Sequence, residues 1–139
     1  MGSLFAGLLL GAGLVQQSLP LIRAGLVAVL AAGLLCLPAQ LSGEGAARIV
    51  QELPRVSRAL IQAHEDAAEW GFWALEATAA VALFSLLLLK SGAPRARQMA
   101  WLTLAAVALS FGMLARAGSL GGLIRHTEIR EGYGTPDEL

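Results

Sequence analysis

Between residues 1 and 43 the chain carries one charged side chain, Arg23, and between Arg97 and Arg116 it carries none. A helix that crosses a bilayer needs about 20 mostly apolar residues, so the first run is long enough for two. Gln16-Gln17-Ser18-Leu19-Pro20 divides it, because proline breaks a helix and the amides prefer the interface. The pattern predicts helix 1 over residues 3–16 and helix 2 over 21–40, with Pro38 near its end. Helix 1 is short for a complete crossing. Small residues recur at every fourth position, Ser3, Gly7 and Gly11 on helix 1 and Ala24, Ala28 and Ala32 on helix 2. Such stripes let helix backbones approach closely, the main attraction between helices in lipid. The short turn favours an intrachain helix pair over a homodimer contact.

The pattern changes over 43–53, where Glu44, Arg48, Gln51 and Glu52 alternate with Ala46, Ala47, Ile49, Val50 and Leu53. Apolar positions three and four apart predict a short amphipathic helix on the membrane surface. Pro54 ends it and suits the first turn of helix 3, expected over 55–89. Helix 3 begins polar, passes Trp70 and Trp73 as interfacial aromatics, and ends its span at Leu86-Leu87-Leu88-Leu89 before Lys90. Ser91-Gly92-Ala93-Pro94 is a turn, and helix 4 is expected over 97–117. In the tail, 118–139, Gly121-Gly122 predicts a tight turn that folds the following residues back over the helix ends. The expected fold is therefore all-α: one polytopic membrane domain of four transmembrane helices in an antiparallel bundle, with an amphipathic surface helix between helices 2 and 3.

Composition agrees. Of the 139 residues 56% are hydrophobic and 14% charged, against about 25% charged in soluble domains, and the mean hydropathy is +0.65. A net charge of zero gives no electrostatic reason to expect nucleic acid as a partner. The expected surroundings are lipid, with a larger membrane complex or a homo-oligomer as candidate partners. The single cysteine, Cys36, excludes an internal disulfide and reads as a small apolar residue. No Lys or Arg precedes the first apolar run, so that run is expected to be retained rather than cleaved as a secretory signal. Lys90, Arg95 and Arg97, together with Arg23, mark one face as cytoplasmic by the positive-inside rule. With four spans, both termini, 42–70 and 116–139 then face outward, into the periplasm of a bacterial cell.

Chemistry concentrates on that outer side. The chain has two histidines, His64 and His126, each beside acids: His64-Glu65-Asp66-Ala67-Ala68-Glu69 and Arg125-His126-Thr127-Glu128. On a helical wheel His64 shares a line with Val56, Leu60 and Ala68, while Glu65, Glu69 and Glu76 fall within about 40° of one another on a neighbouring stripe. If the tail folds back, two imidazoles could ligate haem b, or His64, His126 and Glu128, with Glu69 or Glu65 as the fourth ligand, could hold zinc, copper or iron. The plainer reading has His64 hydrogen-bonded to a backbone carbonyl. Glu76 lies inside the span, where a carboxylate is costly unless paired or protonated. Arg116 on helix 4 is its expected partner, and a proton relay toward the histidines is the sharper alternative. Signals of enzymes are absent: there is no phosphate-binding glycine loop and no GxSxG, and His64-Glu65 lacks the second histidine of HExxH.

Ser42-Gly43-Glu44, Val56-Ser57, the His64-Glu65 pair and Gly121-Gly122-Leu123-Ile124-Arg125-His126-Thr127-Glu128-Ile129 together resemble a family of small bacterial four-helix inner-membrane proteins of unknown function. The resemblance runs from about Leu4 onward and is most specific in the last motif. Members of that family often carry a His-Pro…Val-His-Phe-Pro stretch before helix 1, where this chain has Met1-Gly2-Ser3-Leu4. The resemblance implies an inner-membrane protein and no activity. Two functions are thus expected: a haem- or metal-binding membrane protein for electron transfer or metal handling, or a non-catalytic accessory subunit whose histidines make structural hydrogen bonds.

Overall fold

Two helix ends close with the same hydrogen-bonding device, and between them they set the hairpins of the fold. The computed structural model describes residues 2–51 and 58–125, with side chains over 2–42 and 58–124. The described residues form four helices, α1 (Gly2–Val15), α2 (Leu19–Gln51), α3 (Arg58–Ser91) and α4 (Ala96–Arg125), and no strand. At the end of α1, Ser18 N–H donates to the Gly13 carbonyl at 2.9 Å and Gln17 N–H to that of Leu14 at 3.4 Å. This is the paired bonding of a Schellman cap, and it puts Gln17 in the left-handed region at φ 55°. At the end of α3, Ala93 N–H donates to Leu88 at 3.1 Å, and Gly92 holds the left-handed position at φ 69°. Pro20 falls in the first turn of α2, where a missing N–H costs nothing.

The helices run up and down in a ring, α1 beside α2 and α4, α3 beside α2 and α4. Contacts between neighbours show each adjacent pair to be antiparallel. A Cβ built on Gly25 would lie 2.6 Å from the Leu10 backbone, and one on Gly13 2.6 Å from the Ile22 backbone nitrogen. Gly7 and Gly11 meet Val107 and Leu104 of α4, Gly33 meets Ala79 of α3, and Gly71 meets Leu114 of α4. The stripe Ser3–Gly7–Gly11 therefore serves α4, whereas α2 meets α1 through Gly25 and leaves Ala24 exposed. Both pairings are within the chain. The core inside the ring comprises Ala6, Leu10, Leu14, Ile22, Leu26, Val29, Ala82, Ala100 and Val107. One polar contact crosses it, Ser85 to Thr103 at 3.0 Å. Each hydroxyl also lies 2.8 Å from a carbonyl one turn back, Val81 for Ser85 and Met99 for Thr103. Two hydrogens serve three contacts, so one hydroxyl donates across and the other donates back along its own helix.

Three helices, over Leu19–Ser42, Arg58–Ser91 and Ala96–Ile124, are long and apolar enough to cross a membrane. With 14 residues α1 is not: it extends about 21 Å, against a hydrocarbon thickness of about 30 Å. Other boundaries move outward from the sequence reading. α2 does not end near residue 40; Pro38 forfeits one ladder bond and the helix continues to Gln51. The expected separate amphipathic helix over 43–53 is thus not distinguished from α2. α4 does not end at 117 either, since Gly118, Gly121 and Gly122 continue it to Arg125. Glycine permits a turn without imposing one.

Gly25→Ala is expected to lower stability by about 1–3 kcal/mol, because the atoms it meets are backbone and cannot swing aside. Gly112→Ala, with nothing within 4 Å, should be neutral or stabilise by up to about 1 kcal/mol. Thermal unfolding in detergent compares them, and equal melting of Gly25→Ala and the parent would disprove the close α1–α2 contact. By the same measurement Gln17→Gly should gain about 1 kcal/mol by removing a side chain from a left-handed position.

Candidate functional site

His64 lies near the start of α3 and faces α4. Its Nδ1 is 2.8 Å from the Ala117 carbonyl oxygen, and the residue is half-buried. A carbonyl only accepts, so Nδ1 carries the hydrogen of this bond, and of the two neutral tautomers the one compatible with it has its lone pair on Nε2. That nitrogen makes no hydrogen bond among the described residues. The ring lies against Gly121, where a Cβ would come 3.1 Å from Cε1 and 3.3 Å from Nδ1. Ala117 and Gly121 stand one turn apart, a small-residue ledge on α4 that seats the imidazole.

The acids beside His64 in sequence are not beside it in space. Glu65, Asp66 and Glu69 are exposed. Glu69, five residues on, is turned about 140° around the helix from His64. No group of three or more His, Cys, Asp or Glu that could hold a metal ion forms among the described residues. His126 and Glu128 lie outside the described residues. Of the expected histidine site, then, the described structure holds the seated ring of His64 alone.

Glu76 is elsewhere. Trp70 and Trp73, 69% and 60% exposed, and Lys90, 20 residues or about 30 Å from Trp70, bracket the apolar stretch of α3. Glu76 lies about 9 Å along the helix inside Trp70, and about 18 Å from His64. Its carboxyl turns toward α2: a Cβ on Gly33 would lie 3.7 Å from both carboxyl oxygens. Cys36, half-buried on α2, is within electrostatic reach. Oε1 is fully buried and has no hydrogen-bond partner among the described residues. The expected Glu76–Arg116 ion pair does not form among the described residues. The carboxyl occupies the α2–α3 seam, while Arg116 is exposed on α4 about as far out as Trp70.

The opposite end of the bundle is cationic. Arg23, Lys90, Arg95 and Arg97 gather there, and the Arg97 guanidinium donates to the Leu14 carbonyl at 3.3 Å, capping α1. Of the acids among the described residues, Glu44, Glu65, Asp66, Glu69 and Glu76, none lies nearer the cationic end than Glu76. The plainer sequence reading of His64, a hydrogen bond to a backbone carbonyl, is what the structure has, but the sequence did not point to Ala117 and Gly121 as its neighbours or to Gly33 as that of Glu76. Gly121 reads as a turn former and Gly33 as one more small residue in an apolar helix. A small residue set opposite a lone polar group in a span was the available signal.

No family model, curated protein or solved structure matches the chain.

Gly121→Ala should displace the His64 ring and weaken the bond to Ala117, costing about 0.5–1.5 kcal/mol. Imidazole nitrogen NMR should report the Nδ1–H tautomer in the parent and a changed Nδ1 environment in the variant. Gly118→Ala, with nothing within 4 Å, is the control. An unchanged His64 spectrum in Gly121→Ala would mean that the ring does not rest on α4.

Proposed function

We propose that this chain is an integral protein of a bacterial inner membrane that carries a histidine-centred cofactor site at its periplasmic end. The Arg23, Lys90, Arg95 and Arg97 end is cytoplasmic by the positive-inside rule. α2, α3 and α4 cross the bilayer, and α1 accompanies them for about two-thirds of the depth, as the fourth member of a bundle like that of the four-helix family the sequence resembles. The observation that carries the cofactor reading is the His64 bond to Ala117. Histidines that ligate metals characteristically donate the other ring nitrogen to a carbonyl or carboxylate, which fixes the ring and aims the remaining lone pair. Nε2 of His64 is so prepared. His126, five residues beyond Gly121, supplies the second imidazole, for haem b or, with Glu128, for zinc, copper or iron. Glu69 is the weakest of the four ligands considered, because it leaves the His64 face. Electron transfer or metal handling is the corresponding role.

The same hydrogen bond favours a second reading, in which His64 only ties α3 to α4 in an accessory subunit of a membrane complex or a homo-oligomer. The two readings differ in metal content. Elemental analysis and a visible spectrum of the detergent-purified chain should show near-stoichiometric iron, zinc or copper, lost in both His64→Ala and His126→Ala. Metal that is substoichiometric and indifferent to both substitutions would sink the cofactor site and leave the subunit reading.

A further inference from the structure

The seam carboxyl belongs to neither reading, and its surroundings can be stated element by element. From α2, Gly33 and Cys36 face it. The nearest charged positions on α2 are Arg23, ten residues inward of Gly33 at the cationic end, and Glu44, eleven residues outward, or about 15 and 16 Å of helix. α4 has no charged residue between Arg97 and Arg116, and Arg116 is exposed. α1 has no titratable side chain at all. On α3 itself the neighbours in sequence are exposed Glu69, two turns outward, and Lys90, about 21 Å inward.

Gly25 meets Leu10, and α2 advances eight residues from Gly25 to Gly33 while α1 retreats eight from Leu10 to Gly2, so the first turn of α1 is level with Gly33 and Glu76. At this level Glu76 has one oxygen sealed and, among the described residues, no cation to neutralise it.

We infer that Glu76 is a proton-binding site within the membrane, resting as the neutral carboxylic acid in the α2–α3 seam. The inference rests on the reading that α3 crosses the bilayer. A carboxylate at this depth with a sealed, unpartnered oxygen would bear the full cost of an uncompensated buried charge. As the carbonyl oxygen of the acid, Oε1 bears only a missing hydrogen bond, a far smaller cost. The hydroxyl then belongs to Oε2, the oxygen that is not so sealed, and through it the proton exchanges with water at the outer interface about 9 Å away. The equilibrium is a simple one, carboxylate plus proton to acid, with no other reactant. A Cβ on Gly33 would lie 3.7 Å from both carboxyl oxygens, which places the carboxyl against α2 at that glycine.

Infrared spectroscopy of the full chain in lipid nanodiscs tests this. The parent should show at neutral pH the carbonyl stretch of a protonated carboxyl, lost completely in Glu76→Gln and shifted by carbon-13 labelling of glutamate. A hydrophobic carbodiimide, which reacts with protonated carboxyls in apolar surroundings, should label Glu76 in preference to Glu65, Asp66 and Glu69, and labelling should fall as pH rises. The labelling needs no variant, so misfolding of Glu76→Gln would not spoil the test. Absence of the band or absence of the label would overturn the inference and point to a carboxylate paired with a partner's cation or with a metal ion. Extraction of the chain from vesicles by alkaline carbonate would instead refute the membrane reading; retention without the band refutes the proton site alone.

Discussion

Helices surrounded by lipid gain nothing by hiding apolar surface from one another, so a bundle in a membrane is held by how closely its backbones can approach. Here that approach depends on glycine at crossing points. Gly13 and Gly25 bring α1 and α2 together, Gly7 and Gly11 admit side chains of α4, and Gly33 brings α2 against α3. At Gly25 and Gly13 the opposing atoms are backbone, which fixes the axial register of the pair to within a residue. Everything else that can be said of position follows from that register. It sets which residues of α1 lie level with which residues of α2 and α3.

The polar groups inside the bundle obey the same constraint in different ways. Thr78, Ser110 and one of the pair Ser85 and Thr103 donate to a carbonyl on their own helix, and the other of that pair donates across to its neighbour's hydroxyl, so these groups cost little. His64 cannot bond to its own turn and uses the Ala117 carbonyl of α4, which is possible because Gly121 leaves room for the ring. Glu76 has found no such donor for Oε1. A hydroxyl, an imidazole and a carboxyl thus form a series of increasing demand, and the bundle meets the first two from its own backbone. Backbone carbonyls only accept, so they satisfy hydroxyls and imidazole N–H groups but never a carboxylate. The helix interior offers a charged glutamate nothing.

Much of the fold was legible in the sequence. The turn at 16–20 and the turn at 91–94 follow from proline, glycine and amide residues between uncharged runs, and the number of helices follows from them. What was not legible has physical causes. Gln17 conceals a left-handed cap that Gly92 advertises, because the cap is fixed by hydrogen bonds that any residue can accept at some strain. Helix 2 was expected to end just past Pro38 and Gly121-Gly122 to form a turn, yet a helix in an apolar bundle keeps its ladder when the alternative is unbonded peptide groups without water. The stripe Ser3–Gly7–Gly11 was correctly a packing face, but periodicity cannot say which neighbour it packs on. The candidate site was half visible. The wheel placed His64 on the packed side and the acids on another, whereas Glu76–Arg116 paired two charges by depth alone, without knowing which way each side chain turns.

The direction each side chain takes also separates two chemistries that the sequence allowed to merge. A relay from Glu76 to the histidine end would need polar stations along about 18 Å of α3. The residues between them on the packed sides of α3 include Gly71, Phe72 and Leu75, all buried and none able to pass a proton. His64 opens toward α4 and Glu76 toward α2, on different seams of the same helix. The seam carboxyl lies instead in the packing of α2 on α3. One helix carries both groups, and its two faces keep them independent.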